Sequence, residues 1–408
     1  MENKIKQKEY ILYLGNYLDE QIVKERKLPT NNIAGTNRMQ RLSEALSHYY
    51  SIIVVSPAVS LRLKQNKSQF FLRSKWHHYN SVKVFFSQTI SVPYLCLFYS
   101  YISYFVSLLF LIRRTKAKKI IIYNFDPLFV FIVGFLRCFY WNIKITNNIE
   151  DISIPKISDF STRSEDRGFQ QYIFYLCMKI IAFLSHSYII PTKKFINYLP
   201  IKKKILVVTG CISIKNKVIE KPKEKIEVFF SGKIEFEHGI DIFMAALKLI
   251  EDSHYHDKIN INISGGGDKA KWLKAEILNF EKLNVQYHGF VSNTEYKKLL
   301  ESSDICVALQ KDSGRHSQFK TPSKVYEYLG NSKIVIATNV GDLAEISEEI
   351  IKICKPLNSF NLYKNIIEVL NKKDDLLILK DRIYNFSKVE YDLRKVGRKL
   401  YYFLEVKK

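Results

Sequence analysis

The sequence lacks the residue patterns that mark several common classes of protein. Its six cysteines are scattered and form no Cys-x-x-Cys pair, which argues against both a zinc site and a disulfide framework. No Asp-x-Asp occurs, so the pair of carboxylates that could hold a metal ion against a diphosphate is missing. Residues 1–9 are polar and charged and contain no apolar core of a secretory signal. We therefore expect a protein of the reducing cytosol that has no metal site and no cofactor.

Acidic residues are absent from one long stretch of the chain, between Glu44 and Asp126, which holds 11 Lys and Arg residues. The formal net charge is +23, and residues 1–200, with 27 basic and 12 acidic residues, contribute +15 of it. A positive electrostatic field of this kind attracts polyanions. Because aliphatic and aromatic residues are concentrated in the same stretch and no nucleic-acid motif accompanies them, we expect an anionic membrane surface as a partner and no nucleic acid.

Short apolar runs alternate with helical patterns through both halves of the 408 residues. The first such run, Tyr10–Leu14, is short enough to be a strand buried on both faces of a parallel sheet. A chain of this length, 47% apolar, can bury two cores. The sequence therefore predicts an α/β protein with two doubly wound domains. The first would span 1–215, and a polar segment with lysine and proline at 216–225 would be the linker.

One apolar segment, Val92 to Ile112, has 21 residues without a charge and is followed by a basic run at 113–119. Its length meets the minimum for a transmembrane helix. Its more polar residues recur at helical spacing on one side: Ser100, Ser103, Tyr104 and Ser107. A helix with one mildly polar side is better suited to lie against a sheet or at a lipid interface. We favour that interpretation, with a membrane span as the alternative.

The most informative stretch is 321–329, Thr-Pro-Ser-Lys-Val-Tyr-Glu-Tyr-Leu, which precedes a short apolar strand pattern. Pro322 suits the first turn of a helix, where its missing N–H costs nothing. The unpaired amides of that turn, with Ser323 and Lys324, would attract an anion such as a diphosphate. Glu327, one turn later, could accept hydrogen bonds from a ribose or sugar hydroxyl. An ordinary capped helix would show the same residues, so both interpretations stay open at this point.

This stretch resembles the donor-binding helix of retaining glycosyltransferases of family 4, and residues 226–345 look like the whole donor domain of that family. The family pattern is Glu-x7-Glu; its second acid matches Glu327, and Phe319 stands at the position of the first. The resemblance implies a GT-B fold, in which two Rossmann-like domains face a cleft. It also implies that 226–383 binds the nucleotide sugar and that a last helix in 384–408 returns to the first domain.

The resemblance further implies which residues hold the donor. Lys233, beside a predicted strand end, matches a basic residue that contacts the donor phosphates, and His238 stands where a second lysine is usual. Gly265 opens a three-glycine loop that would form a backbone wall of the nucleotide pocket, and Phe290 lies in a segment that lines the nucleobase. The full predicted donor site is Gly35, Gly232, Lys233, His238, Gly265, Phe290, Pro322, Ser323, Lys324 and Glu327.

Glu150 and Asp151 directly follow a predicted strand, at the edge of the sheet where ligands of open parallel sheets bind. Adjacent side chains on extended backbone point in opposite directions, so only one of the two can enter a site. Both could instead cap the next segment. We interpret Glu150 as catalytic, together with Lys233 and Glu327, and we assign acceptor binding to Arg38 and Asp151.

The resemblance implies the transfer of a sugar, with retention, from a UDP- or GDP-linked donor to a hydroxyl, without a covalent enzyme intermediate. A basic, aromatic first domain suits a lipid-linked or polysaccharide acceptor, as in bacterial surface polysaccharide synthesis, and a cytoplasmic protein peripherally associated with the inner face of the membrane. Two further alternatives stay open: a non-catalytic nucleotide-sugar-binding or scaffold protein, and a GT-B-like sugar-nucleotide epimerase that acts without an acceptor.

Overall fold

The computed structural model describes residues 8–26, 33–57, 71–90, 92, 95–124, 127–150, 165–199, 201–214, 223–311 and 322–406. The chain forms two compact units. The first contains Met1–Cys211 and Leu393–Lys408, and the second contains Ile212–Asp392. Each unit has its own sheet and its own apolar core, which confirms the predicted α/β class. The predicted linker at 216–225 lies mostly outside the described residues.

The strands described in the first unit are β1 Tyr10–Leu14, β2 Ser51–Ser56, β3 Phe71–Leu72, β4 Lys75–Tyr79, β5 Val82–Phe86, β6 Thr89–Ile90, β7 Lys119–Tyr123, β8 Lys144–Asn148, β9 Ser187–Ile190 and β10 Lys204–Val207. Eight of them form one sheet in the order β10-β9-β8-β7-β1-β2-β5-β4. Neighbours in this sheet are parallel except β4, which is antiparallel to β5. The central strands are buried on both faces, which explains their unbroken apolar sequence.

Two helical layers cover this sheet. The helices before residue 211 are α1 Glu20–Arg26, α2 Ile33–Ser47, α3 Leu95–Thr115, α4 Pro127–Phe139 and α5 Glu165–Leu184. The core on one face includes Leu42 and Leu46 of α2, and the core on the other includes Leu108 of α3 and Ile132 of α4. Because the helices cover the two faces of the sheet, the edge formed by the carboxyl ends of the strands can carry polar residues.

Helix α2 begins at Ile33. Gly35, one of the predicted donor residues, lies in the first turn of this helix. The buried Oγ1 atom of Thr36 accepts a hydrogen bond from the backbone N of Leu18, with a donor–acceptor distance of 3.0 Å. This tertiary contact fixes the helix start and outweighs the low helix propensity of glycine.

The apolar segment predicted at 92–112 is α3, which begins at Leu95 and ends at Thr115. Its more polar side faces the sheet. The hydroxyl of Tyr104 donates to the carbonyl oxygen of Val55 (3.0 Å), and the backbone of Gln88 donates to Ser103 Oγ (3.1 Å). Within the ranges given above, none of the helices combines the length and the hydropathy that crossing a bilayer requires.

The strands described in the second unit are β11 Ile226–Ser231, β12 Ile259–Ser264, β13 Asn284–Tyr287, β14 Ile305–Ala308, β15 Ile334–Thr338 and β16 Ile351–Cys354. They form one parallel sheet in the order β13-β12-β11-β14-β15-β16. The order reverses between β11 and β14, so this is the topological switch point. Ligands of such sheets bind outside the carboxyl ends of the strands at that point.

The helices of the second unit are α6 Ile240–Glu251, α7 Ala270–Ile277, α8 Asn293–Ser302, α9 Ser323–Gly330, α10 Ser359–Asn371 and α11 Leu376–Glu390. The last helix, α12 Leu393–Glu405, belongs to the first unit. The last helix predicted in 384–408 thus begins at Leu393, and a break separates it from α11. The carbonyl oxygen of Tyr391 accepts a hydrogen bond from the backbone N of Ile212 (2.9 Å), and this pairing interrupts the helix. Helix α12 packs on α2.

Candidate functional site

Lys324 lies at the switch point of the second sheet. It is the second residue of α9, and its Nζ atom donates to the carbonyl oxygen of Ser231 at the end of β11, at 2.7 Å. The Oγ atom of Ser231 is 3.3 Å from the same Nζ. Pro322 is the N-cap of this helix, one position earlier than predicted, and Ser323 is its exposed first residue. The start of α9 and the end of β11 are therefore joined through one lysine.

Burial controls the charge of Lys324. It lowers the pKa of the ammonium group from 10.5 to about 8, although the nearby Glu327 carboxylate opposes this effect. The group is therefore only partly charged slightly above neutral pH. An anion bound beside Nζ would favour the charged form, so the local electrostatics are suited to a phosphate-bearing ligand.

Glu327, one turn further along α9, is half-buried and contacts a tyrosine from the neighbouring helix. The hydroxyl of Tyr296, on α8, lies 3.3 Å from Oε2 of Glu327 and donates to it. Burial, and secondly the charge of Glu327, raise the pKa of Tyr296, so this tyrosine stays a neutral donor. Tyr328, on the same helix turn, is fully buried, and burial raises its pKa as well. The carboxylate of Glu327 is thus held on one side by a hydroxyl group.

Two glycine loops meet beside Lys324 with backbone against backbone. Gly232 and Gly265 follow β11 and β12, with φ angles of 153° and 135°, which non-glycine residues rarely adopt. A Cβ atom on Gly265 would lie 1.7 Å from the carbonyl oxygen of Gly232. A Cβ atom on Gly232 would lie 3.1 Å from Lys324 Nζ. These positions therefore require glycine, and the wall they form consists of backbone atoms.

The two basic residues predicted to contact phosphates share one carboxylate. Lys233 Nζ is 3.7 Å from Oε1 of Glu235, and His238 Nε2 is 3.6 Å from Oε2 of the same residue. The side chain of Lys233 is 68% exposed, so it can change rotamer to reach a ligand. Glu235 was not identified from the sequence, because its position between the two bases depends on the turn of residues 236–238.

Phe290 is 90% exposed and lies beside the same glycine loop. A Cβ atom on Gly266 would be 3.9 Å from Cδ2 of its ring. An aromatic side chain whose role is purely structural is usually buried, so this exposure is unusual. Its flat face is suited to stack with a planar ligand such as a nucleobase.

The first unit brings two predicted residues from distant parts of the chain into one ion pair. Arg38 Nε is 2.9 Å from Oε1 of Glu150, and the side chains of both are 14% exposed. The guanidinium also donates to the carbonyl oxygens of Val208 and Thr209. Burial opposes its charge, but the pKa of Arg38 is raised overall because Glu150 stabilises that charge. The predicted catalytic acid and the predicted acceptor-binding arginine are therefore direct partners.

Further polar groups surround this pair at the carboxyl edge of the first sheet. Oδ1 of Asn124 accepts a hydrogen bond from the backbone N of Glu150 (2.6 Å). Asn148 Nδ2 donates to the hydroxyl of Tyr13 (2.7 Å), and Asn148 Oδ1 is buried without a hydrogen-bond partner in the described part of the chain. Asn148 was missed at the sequence level, although an asparagine pair that ends an apolar strand is a usable signal. Asp151 lies outside the described residues.

The predicted donor residues of the second unit are therefore neighbours, whereas Gly35 lies in the first unit with Arg38 and Glu150. Their binding roles stay predictions. Among the residues that the structure describes, no cluster of three or more His, Cys, Asp or Glu side chains could hold a metal ion.

Residues 212–386 match the family model described as Glycosyl transferases group 1. The match supports the glycosyltransferase class and spans the switch point with Lys324 and Glu327. The comparison with curated protein sequences found no match.

Solved structures share the fold over nearly the whole chain. Sucrose-phosphate synthase from Thermosynechococcus elongatus is 13% identical, with a TM-score of 0.65, and the alignment covers 97% of this chain and 98% of that one. Anabaena Alr3699/HepE in complex with UDP is 13% identical, with a TM-score of 0.64 and coverages of 97% and 99%. WaaG, a glycosyltransferase involved in lipopolysaccharide biosynthesis, is 11% identical, with a TM-score of 0.59 and coverages of 96% and 98%. The chain therefore has the GT-B fold, with two Rossmann-like domains.

Proposed function

We propose that this chain is a retaining glycosyltransferase of family 4, which transfers a sugar from a UDP- or GDP-linked donor to a hydroxyl group. The observation that carries the proposal is the buried ammonium group of Lys324 at the switch point of a unit that matches the group 1 glycosyltransferase model. Burial disfavours a charged lysine, so the fold gains nothing from the charge itself. An anionic ligand such as a nucleotide diphosphate gives this buried cation a function.

The second unit would stabilise the negative charge that builds on the departing diphosphate. Lys324 and the backbone amides near Ser323, at the start of α9, would supply positive charge in a site partly removed from water, where such charge is most effective. Gly232 and Gly265 let the diphosphate approach the backbone closely, since neither residue has a side chain. Lys233, which is exposed, would turn from Glu235 toward the phosphates when the donor binds.

Three other residues would orient the donor. Glu327 would accept hydrogen bonds from the ribose, since Tyr296 fixes the orientation of its carboxylate. Phe290 would stack on the base. His238 would donate to a phosphate oxygen in the role that a second lysine usually has, once its ring turns from Glu235.

In the first unit, Glu150 would act beside the sugar that is transferred. Its ion pair with Arg38 keeps the carboxylate ionised and fixes its direction, because the arginine is itself anchored on the carbonyl oxygens of Val208 and Thr209. Glu150 could then stabilise positive charge that develops at the anomeric carbon. Arg38 would bind the acceptor through the Nη1 and Nη2 hydrogens that do not point at the carbonyl oxygens of Thr209 and Val208.

The acceptor we propose is a lipid-linked or polysaccharide glycan in bacterial surface polysaccharide synthesis, used by a cytoplasmic protein peripherally associated with the inner face of the membrane. The excess positive charge of residues 1–200 supports this acceptor class, since lipid diphosphates and anionic lipids are polyanionic. The structural similarity to WaaG, a glycosyltransferase involved in lipopolysaccharide biosynthesis, is consistent with it.

The test is turnover of radiolabelled UDP- and GDP-sugars by the wild-type chain, Lys324→Ala and the control Lys271→Ala, an exposed lysine on α7. A prior thermal-shift screen against UDP, GDP and ADP selects the donor. We expect transfer to a glycan acceptor by the wild type and the control, and a loss of at least about 100-fold in kcat/KM for Lys324→Ala.

Other outcomes separate the alternatives. Binding of the nucleotide without turnover would favour a non-catalytic nucleotide-sugar-binding protein. Conversion of the donor sugar without any acceptor would favour an epimerase. Inversion at the anomeric carbon of the product, read by NMR, would contradict the retaining mechanism.

A further inference from the structure

Helix α3 turns its more polar side toward the protein and an apolar side toward solvent. Ser100 and Tyr104 are buried, and their hydroxyls contact Thr89 and Val55. The opposite side carries five large apolar residues, each between 49% and 68% exposed: Leu95, Phe98, Ile102, Val106 and Phe110. A surface helix ordinarily has the reverse orientation, with its polar side in water. Packing among the described residues of the first unit therefore does not explain the exposed side of α3.

These five residues form one continuous stripe. They follow one another at spacings of three or four residues, which place side chains on the same face of a helix. From Leu95 to Phe110 the stripe is about 22 Å long, at the helical rise of about 1.5 Å per residue. Such a stripe is long enough to contact a planar surface along several turns.

The apolar surface continues onto the next helix. Phe105 of α3 and Phe135 of α4 pack edge to face, with ring centroids 4.9 Å apart, so the two helices are neighbours. Phe131 of α4 is 78% exposed. We call the five α3 residues together with Phe131 the outer helix face. Contiguous apolar surfaces of this kind on soluble proteins usually mark interaction sites.

Basic residues stand at one end of this face and acidic residues are missing. Arg113 comes three residues after Phe110, on the same side of α3, and both Arg113 and Arg114 are exposed. The guanidinium of Arg114 lies 5.9 Å from the ring centroid of Phe110. No acidic residue occurs between Glu44 and Asp126, so nothing in the sequence of α3 or its flanks neutralises these cations. An apolar stripe that ends in arginines matches a bilayer with anionic headgroups.

We propose that the outer helix face docks on an anionic lipid bilayer, with α3 in the plane of the interface and Arg113 and Arg114 on lipid phosphates. The proposal deepens the peripheral membrane association of the proposed function and rests on it. A second copy of this chain is a poorer occupant, because both copies carry the same excess of positive charge in residues 1–200.

The experiment measures partition of the full chain onto vesicles of phosphatidylcholine alone and of phosphatidylcholine mixed with phosphatidylglycerol. The variants are F98Q/V106Q, which removes apolar contact, and R113Q/R114Q, which removes charge. We expect the wild type to bind the anionic vesicles and to lose binding at high salt. The partition coefficient should fall by at least about tenfold in F98Q/V106Q and by about 25-fold in R113Q/R114Q.

Matched controls come from the second unit. L278Q/F360Q removes two exposed apolar residues, and K271Q/K274Q removes two exposed lysines; both should bind as the wild type does. Binding of UDP, measured on every variant, should stay unchanged, so a failure of the docking proposal is separable from a failure of the proposed enzyme function.

Three results would overturn the docking proposal. The first is equal binding to neutral and anionic vesicles. The second is an equal loss in the control and outer-face variants. The third is a wild-type chain that does not bind vesicles and is a dimer in sedimentation analysis, while F98Q/V106Q is a monomer. That result would assign the outer helix face to a second copy of the chain.

Discussion

Replacing Lys324 by methionine should stabilise the ligand-free protein at neutral pH and weaken donor binding. Burial lowers the pKa of Lys324 from 10.5 to about 8. Below about pH 8 the lysine is charged in both the folded and the unfolded chain, so the folded protein carries the full cost of a buried charge. Between about pH 8 and 10.5 the folded protein releases this proton while the unfolded chain keeps it, so the cost disappears as the pH rises.

The size of the stability effect follows from that shift. Lowering the pKa from 10.5 to about 8 corresponds to about 3 kcal/mol at neutral pH. Methionine removes this cost but leaves the carbonyl oxygen of Ser231 without its donor, which offsets about 1–2 kcal/mol. The free energy of unfolding of Lys324→Met should therefore exceed that of the wild type by about 1–2 kcal/mol near pH 7. The gain should shrink as the pH rises above about 8.

The effect on donor binding has the opposite sign. A hydrogen bond to a charged group contributes about 1.5–3 kcal/mol, so UDP affinity should fall by about 10- to 150-fold in Lys324→Met. The wild-type Kd for UDP should rise by about tenfold per pH unit above about pH 8, because binding then requires uptake of a proton. The variant should lack this dependence.

Two measurements check these expectations: calorimetric titration with UDP and urea unfolding of the ligand-free protein, each between about pH 7 and about pH 9.5. Lys271→Met, at an exposed position of α7, is the matched control and should change neither quantity. A wild-type Kd that does not vary with pH, or a variant that binds UDP as tightly as the wild type, would refute the assignment of Lys324 to the donor phosphates. If Lys324→Met were less stable than the wild type near pH 7, the inference that the buried charge of Lys324 destabilises the ligand-free protein would be wrong.

Further substitutions and a metal-removal experiment test the rest of the site. Arg38→Ala should lower the free energy of unfolding, measured in urea titrations, by about 3–5 kcal/mol, because it leaves the buried carboxylate of Glu150 unpaired. Glu150→Gln removes that charge and should be less destabilising in the same titrations. It should nevertheless lower kcat by at least about 100-fold. Gly265→Ala should lower the midpoint of thermal unfolding and abolish UDP binding, because its Cβ would overlap the carbonyl oxygen of Gly232. The control is Gly134→Ala, whose Cβ would have nothing within 4 Å. This control should stabilise α4 by about 0.5–1 kcal/mol. Turnover should survive EDTA, because no Asp-x-Asp is present; its loss, restored by a divalent ion, would contradict the expectation of no metal.

The regular strands of both units were predictable because burial on both faces leaves an unbroken apolar run. Tyr10–Leu14 is a strand with the predicted limits. The edge strand β4, Lys75–Tyr79, was missed: it pairs on one side only, and its sequence contains charged and histidine residues. The break between α11 and α12 was also missed, since it depends on the hydrogen bond from Ile212 to Tyr391, which is 179 residues away in the chain.

The candidate site shows the same difference: some of its residues could be identified from the local sequence, whereas their contacts depend on long-range packing. Lys324 and Glu327 were identified because their helix has a recognisable sequence. Ser231 and Tyr296, which contact them, carry no local signal, because the contacts depend on how β11 and α8 pack beside α9. Likewise, Arg38 and Glu150 were each identified, but their ion pair joins residues 112 positions apart and follows only from the fold.

The fold of the first unit separates two groups of positive charge for which we propose different roles. Helix α3 leads into β7, so Arg113 and Arg114 lie near the amino edge of the sheet, whereas Arg38 contacts Glu150 just beyond the carboxyl end of β8. A five-residue strand spans about 16 Å, which exceeds the Debye length of about 8–10 Å under physiological conditions. The arginines of α3 are therefore electrostatically remote from Glu150. Their charge can act on a partner at the outer helix face without altering the ionisation of the proposed catalytic acid.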